Sequence, residues 1–450
     1  MREDFFSTVG EIIKYGGSTF AALVVMSLYM MTDGFFIGNW VGTDGLSAMA
    51  LIFPITIVFT SFGTLFETGS SAVVSKIIGE GNKTLSEGVM RSNYVCAVVI
   101  GLIVAVVGNI VIEPFLRFLS NSPNEEQIID FAVSYLRIVF FGLPFLLTVY
   151  LTGAFMRCIE KPSHVICLIG STSLMNVILD AIFIALLGWG MIGAALATLL
   201  SEICGAACSF WYFKYSRQKF STSISFASFE YVFQGIKIGA GFALTALMMC
   251  VLEYFMNAIL LYYDATQLLA AIAISNMILS FVALPLDGMD TGVQPLVSRL
   301  FAAKKTQHCM RVMRYAFFLT LILTFIMYFV VMVFTEELMR FFVENHEPIT
   351  DEMIFFLRAM FLLQPFVGIY TWLSGIMAAL EDEWRNLVVS LVPLVVQVPL
   401  IWFLPKILPI EYIALNYSIN DVAEALLAFV LIRSLMKEKG FSFRKIFGGR

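Results

Sequence analysis

Charge is scarce in this chain. Asp, Glu, Lys and Arg make up 14% of its 450 residues and hydrophobic residues 59%, where a soluble domain carries about 25% charged residues. A soluble protein must cover its surface with polar groups, so a deficit spread over the whole length excludes a large soluble core. Histidine is nearly missing, with three copies, and the cysteines number seven, most of them inside apolar runs (Cys96, Cys167, Cys204, Cys208, Cys250). Cys204 and Cys208 share a helical face, but no His or second Cys pair accompanies them, so they read as small apolar helix residues rather than a zinc site. A net charge of −5 offers nothing to nucleic acid. Enzyme signatures are lacking too: there is no His-Glu-x-x-His and no Gly-x-Ser-x-Gly. The stretch Gly79-Glu80-Gly81-Asn82-Lys83-Thr84 misses the glycine that precedes lysine in a phosphate loop. No enzyme and no cofactor are expected. The opening MREDFFSTVGEIIKYGG lacks the short apolar core and small-residue cleavage site of a signal peptide, so the first helix is expected to serve as the insertion signal.

What the chain has is apolar length. A run of roughly 20 apolar residues crosses about 30 Å of hydrocarbon as a helix. Twelve such runs are present, near 15–37, 46–71, 92–116, 131–156, 163–187, 190–212, 236–261, 267–295, 313–334, 353–379, 386–405 and 411–434. An all-α integral membrane protein with twelve transmembrane helices is expected. Lys and Arg collect on the cytoplasmic side of a membrane. With both termini inside, 23 of the 28 basic residues fall on that side, and Arg117, Arg137, Arg340, Arg358 and Lys406 fall outside. The outer loops are acidic instead, with Glu125, Glu126, Glu344, Glu347 and Asp351. The basic tail Lys437–Arg450 is expected on the cytoplasmic face of the cell (plasma or inner) membrane.

The sequence also repeats at an offset of about 222. Glu67-Thr68-Gly69 with Val74-Ser75-Lys76 returns as Asp290-Thr291-Gly292 with Val297-Ser298-Arg299. Tyr135-Leu136-Arg137 with Pro144 returns as Phe356-Leu357-Arg358 with Pro365, and Ile13-Lys14-x-Gly16 as Ile236-Lys237-x-Gly239. Two pseudo-symmetric six-helix bundles in the same orientation follow: residues 1–213, a cytoplasmic linker 214–235, and residues 236–450 with the basic tail. The paired prolines Pro144 and Pro365 predict matched bends in the fourth and tenth helices.

A charge within a span costs about 2.5–3.5 kcal/mol even on lenient scales, so it needs a reason. The stretch Ser173–Ser201, SLMNVILDAIFIALLGWGMIGAALATLLS, holds the densest group. Asn176 and Asp180 are four apart and share a helical face. Asp180 lies nine residues before Trp189 and Thr198 nine after it, which sets both about 13 Å below the Gly188-Trp189-Gly190 tip. Asp33 lies at a comparable depth in the first helix. Two carboxylates, an amide and a hydroxyl form an oxygen-rich cluster suited to a hard monovalent cation or to a shared proton. The other in-span acids are Glu67, Glu202, Glu253, Asp287, Asp290, Asp421 and Glu424. Glu67, Asp290 and Glu202 lie toward the inner helix ends, where a structural role is expected of the first two. Tyr135 enters the fourth helix from outside and points to the first-bundle cavity.

These residues carry a resemblance. Asn176-Val-Ile-Leu-Asp180 followed by Gly188-Trp-Gly-x-x-Gly193-Ala-Ala-x-Ala-Thr198 resembles the helix 5–6 signature of the multidrug and toxic compound extrusion (MATE) family. MTDGFFIGNWVG around Asp33 and ETGSSAVVSKIIGEGN resemble its first helix and its helix 2–3 region, and the likeness is greatest to the bacterial MepA-like branch. The resemblance implies a secondary antiporter that alternates between outward- and inward-open forms and expels small amphipathic, often cationic compounds. It implies a Na⁺ or H⁺ coupling site at Asp33, Asn176, Asp180 and Thr198 with the backbone carbonyl of Ala194, and a nearby tyrosine at Tyr135. Glu253 matches one acid of a second-bundle site in another branch, but no acid stands around Tyr370–Ser374 to complete it. Tyr135 and Glu253 are therefore carried as substrate-cavity candidates, and the coupling ion is expected in the first bundle alone. With no nucleotide site, transport has to run on an ion gradient. The expected partners are the bilayer and small substrates, with no nucleic acid, and the expected state is a monomer. A lipid-linked precursor flippase on the same plan is the alternative; it calls for a basic cavity, whereas the candidates here are acidic.

Overall fold

The computed structural model describes residues 2–119, 126–215, 226–263, 265–342 and 349–441. Residues 216–225 of the linker, 442–450 of the tail and the loop acids Glu125, Glu344 and Glu347 lie outside the described residues. The regular structure of the described residues is helical throughout, in twelve rods with a short helix Thr335–Phe342 and a 3-10 turn Ile410–Ala414 between them. In the first half, α1 runs through Arg2–Ile12, a π-helical turn Ile13–Gly17 and Ser18–Trp40. It is followed by α2 (Thr43–Gly79), α3 (Lys83–Leu119), α4 (Glu126–Cys158), α5 (Ser163–Asp180, continued by the π-helical turn Ala181–Leu186) and α6 (Gly190–Tyr215). In the second half come α7 (Phe226–Tyr262), α8 (Thr266–Ala302), α9 (Thr306–Val333), α10 (Asp351–Phe361 and Pro365–Ala379), α11 (Glu383–Ser390 and Val392–Ile407) and α12 (Leu415–Glu438).

Helix is the form a chain takes in hydrocarbon, because each backbone N–H and C=O finds its partner within the segment. Ten helices of the described residues are long and apolar enough to cross a membrane. The chain is a multi-pass membrane protein, and the twelve rods follow the twelve apolar runs. The rods are longer than the runs: α2, α3, α7 and α8 each have 37 residues, or about 55 Å at 1.5 Å per residue. Their polar ends extend past the hydrocarbon.

Cα packing divides the chain into two compact units, Ala21–Gly239 and Met1–Phe20 with Ala240–Arg450. The packing boundary therefore differs from the repeat boundary, because α1 and α7 each begin in one unit and end in the other. Glycines make this possible. In the first unit Gly235 at the start of α7 lies backbone to backbone on Gly69 of α2. In the second, Gly292 of α8 lies on Tyr15 and Gly16 of α1, where an added Cβ would sit 2.6–2.9 Å from backbone atoms. Gly69 and Gly292 are repeat mates, so the same close contact is made in both units.

The paired prolines behave differently. α4 continues as helix through Pro144, whereas α10 breaks at Leu362–Gln364 before Pro365, so only one of the two prolines interrupts its helix. Proline removes a donor and crowds the carbonyl four residues back. In α10 a hydroxyl from another helix supports the break. Ser418 of α12 donates to the Ala359 carbonyl at 2.7 Å and accepts from the Leu363 N–H at 3.2 Å. In α4, Gly101 of α3 lets its backbone pack closely against Pro144.

Candidate functional site

The site is built in the first unit, around the end of α5. Gly188 and Gly190 have φ of +67° and +55°, a left-handed geometry that glycine adopts without strain. They fold α6 back along α5. The Trp189 N–H donates to the Phe183 carbonyl at 2.9 Å, and the two rings stack with centroids 5.1 Å apart. Gly193 lies against Phe183, with room for no Cβ beyond a tight 3.1 Å. The π-helical turn Ala181–Leu186 follows Asp180 directly, a local widening of the kind that recurs at functional positions.

This hairpin buries Asn176, with 1% exposed, and Asp180, with 0%. Asp33 of α1 is buried too, and its charge and that of Asp180 act on each other. Tyr135 of α4 is buried, with its hydroxyl near the Thr198 side chain and in the field of both carboxylates. The Thr198 hydroxyl donates to the Ala194 carbonyl at 3.1 Å. The structure thus brings Asp33, Asn176, Asp180, Ala194, Thr198 and Tyr135 together in one bundle. Among the described residues, Asp33 Oδ1, both oxygens of Asp180, and both Oδ1 and Nδ2 of Asn176 have no protein hydrogen-bond partner.

Such groups are costly. A buried amide left unpaired costs about 1–3 kcal/mol, and a buried carboxylate cannot stay both charged and alone: it takes a proton, a cation or a basic partner. Among the described residues no basic side chain pairs with Asp33 or Asp180. Two carboxylates, an amide oxygen and a hydroxyl are the hard oxygen donors that a small monovalent cation takes. Among the described residues no group of three or more His, Cys, Asp and Glu is arranged to hold a metal ion, and here two acids are joined by neutral oxygens.

A cavity of about 90 Å³ opens beside the cluster. Asn176 and Thr198 line it, with Tyr29, Glu67, Arg157 and Glu202. Asp33, Asp180 and Tyr135 are not among its lining residues. Arg157 of α4, among the largest fully buried side chains, binds Glu67 of α2 through Nη2 and Oε1, which makes Glu67 the structural acid expected. Sequence reasoning passed over Arg157 and set Glu202 aside as an inner-end residue. The signal for Glu202 was its position four residues after Thr198, on the same face of α6.

In the second unit Glu253 of α7 accepts from Asn276 Nδ2 of α8 at 2.6 Å, so it belongs to a different unit from Tyr135. Glu424 of α12 is buried and accepts from Asn420 at 3.1 Å. Glu424, Asp421 and Asp287 all act on Tyr370 of α10.

The fold and site define a class: a polytopic helical membrane protein with a twofold internal repeat and an acidic cluster buried in its first half. The MatE family profile matches the chain twice, over residues 19–182 and 241–403, once in each repeat and over more than half the length. The chain belongs to the MatE family, the one its motifs resemble. Among its relatives, the multidrug export protein MepA of Staphylococcus haemolyticus is 29% identical over 284 residues, 62% of each chain. MepA of Staphylococcus saprophyticus is 23% identical over 409 residues, 90% of this chain and 89% of its own. The first of these alignments thus spans under two thirds of the relative's length. Among solved structures, a MOP superfamily transporter from Pyrococcus furiosus superposes with a TM-score of 0.88 at 18% identity, covering 96% of both chains. A substituted form of the Vibrio cholerae MATE transporter VcmN gives 0.87 at 20% identity, covering 97% of this chain and 98% of its own. These two likenesses extend the shared fold to nearly the whole chain.

Proposed function

We propose that this protein is a secondary active antiporter that exports small amphipathic, often cationic compounds in exchange for Na⁺ or H⁺. The exchanged cation is held in the first unit by Asp33, Asn176, Asp180 and Thr198, with the Ala194 carbonyl beside them. One observation carries the reading: among the described residues, Asp33 Oδ1 and the side-chain polar atoms of Asn176 and Asp180 are buried with no protein hydrogen-bond partner. A cation that neutralises the pair stabilises one arrangement of the helices around it, and by linkage it changes the affinity for the exported compound in the same proportion. The two relatives named multidrug export protein MepA support export of drugs. The protein acts in the cell membrane as a monomer, with both termini cytoplasmic; the balance of Lys and Arg supports that orientation.

The test is efflux of a fluorescent cationic dye from membrane vesicles, with a Na⁺ gradient and a pH gradient imposed separately. Gradient-driven efflux is expected in one of them and is expected to vanish in Asp180→Asn, with the protein still folded in the membrane. Wild-type efflux from that variant would overturn the reading.

A further inference from the structure

The cavity of the first unit contains an acid that the proposed coupling cluster leaves unused. Glu202 lies one turn after Thr198 on α6. Its Oε2 is buried, with no protein hydrogen-bond partner among the described residues. The facing helix makes room for it: a Cβ on Gly142 of α4 would overlap that oxygen. The titratable groups around it come from four other helices. Tyr29 of α1 is in the field of Glu202, Asp33 and Asp180. Tyr150 of α4 is in the field of Glu67, Tyr29 and Glu202. The basic group on the cavity wall, Arg157, is engaged by Glu67. Glu67, Arg157, Tyr150, Glu202 and Tyr29 thus line one cavity, and Tyr29 lies in the field of Asp33 and Asp180 as well.

An acid alone would not define a site. Asn176, with 1% exposed and neither amide atom partnered by protein among the described residues, reaches the same cavity, and Thr198 and Ser201 add hydroxyl oxygens to its wall. The lining then suggests the occupant: carboxylate, amide and hydroxyl oxygens border a space of about 90 Å³, which has room for a small ion with waters of its hydration shell.

We propose that Glu202 and Ser201, sharing Asn176 and Thr198 with the coupling site, form a second station for a small monovalent cation, Na⁺ or H⁺. It lies in series with the Asp33–Asp180 station, and the ion reaches it from the Glu67–Arg157 end of the cavity. This rests on the reading of Asp33 and Asp180 as the coupling site.

The two stations separate in the Asp180→Asn background. Purified Asp180→Asn is compared with Asp180→Asn/Glu202→Gln in two arms: binding of radioactive Na⁺ at fixed pH, and proton uptake after a pH step in Na⁺-free medium. A loss of about one bound ion per protein in the double variant is expected, and the arm that shows it names the ion. In the otherwise unchanged chain, Glu202→Gln is expected to lower gradient-driven efflux about tenfold. Gly142→Ala displaces the flexible carboxylate end without altering its charge, and is expected to weaken ion binding in the same arm even where Glu202→Gln fails to fold. Equal ion counts with and without Glu202 in both arms overturn the proposal. If that happens while Asp180→Asn still abolishes efflux, the coupling reading stands alone. If Asp180→Asn transports normally, it is the coupling reading that fails.

Discussion

In the first unit Glu67 is answered by Arg157. In the second, its repeat mate Asp290 lies against Gly375, where a Cβ would overlap the carboxylate, and Ala378 stands at the repeat position of Arg157. Across the other end of the units the same kind of change recurs. Arg137 binds Glu113 at 2.6 Å, while its mate Arg358 donates Nε to the Thr335 hydroxyl at 3.2 Å. Glu113 and Arg117 return as Glu336 and Arg340, still paired. One architecture has been kept twice while its charge pairs were changed position by position. The lesson concerns how to sort buried acids. Where a base is built in beside the acid, as for Glu67, the pair holds helices together. Where no base stands beside it among the described residues, as for Asp33 and Asp180, the acid is left unpaired, and the proposed ion coupling rests on that difference.

The sharpest break in that comparison is functional. Asp33→Asn in the first unit is expected to lower gradient-driven dye efflux by roughly 100-fold, within the range of ordinary coupling free energies. Asp421→Asn in the second is expected to stay near wild type. Equal losses from both variants would mean that the coupling ion is not confined to the first unit. Next comes the built-in pair. Arg157→Met leaves the half-buried Glu67 without its base and is expected to cost about 3 kcal/mol, the low end for a broken buried pair, read as a lower melting temperature in detergent. Glu67→Gln/Arg157→Met should recover most of it. A single-variant loss that the double variant does not repair would mean that Arg157 acts through packing rather than charge.

A smaller effect belongs to the paired prolines. Ser418→Ala removes the hydroxyl that serves the break in α10 and leaves backbone groups unpaired, at a cost of about 1–3 kcal/mol. Thr148→Ala in α4, whose hydroxyl only reinforces the Pro144 carbonyl at 2.8 Å, should cost less. The smallest concerns the helix starts. Among the described residues α5 has no side-chain cap, whereas Asp382 caps α11 by accepting the Arg385 N–H at 2.9 Å. Arg385 also reaches Glu438 at the end of α12 and holds its carboxyl below the ordinary value of 4.5. A lowered carboxyl contributes stability above its unfolded value and loses it as pH falls through the folded one. Wild type should therefore lose slightly more stability than Glu438→Gln on acidification below about pH 4.5, checked by melting both proteins across that range.

Much of the fold was legible because its causes are local. Apolar runs of bilayer length must be helical, so twelve runs became twelve rods. Gly188 and Gly190 marked a turn whose positive φ values the structure bears out. Asn176, Asp180 and Thr198 were legible as a group because helical period and hairpin length fix which residues share a face and a depth. Arg157 was not, since nothing in its own segment says that a helix ninety residues earlier brings it an acid. Glu202 was discounted by its distance from the helix end, and only the cavity and the gap at Gly142 give it a place.

The sequence by itself determined the membrane class, the twofold repeat and the first-half cluster, because hydropathy, period and residue type act within one segment or one hairpin. Only the tertiary structure decided which acids are neutralised, where α1 and α7 pass from one unit to the other, and which of two matched prolines breaks its helix. Those outcomes depend on what a neighbouring helix presents: an arginine for Glu67, a glycine for Gly235, a serine hydroxyl for α10.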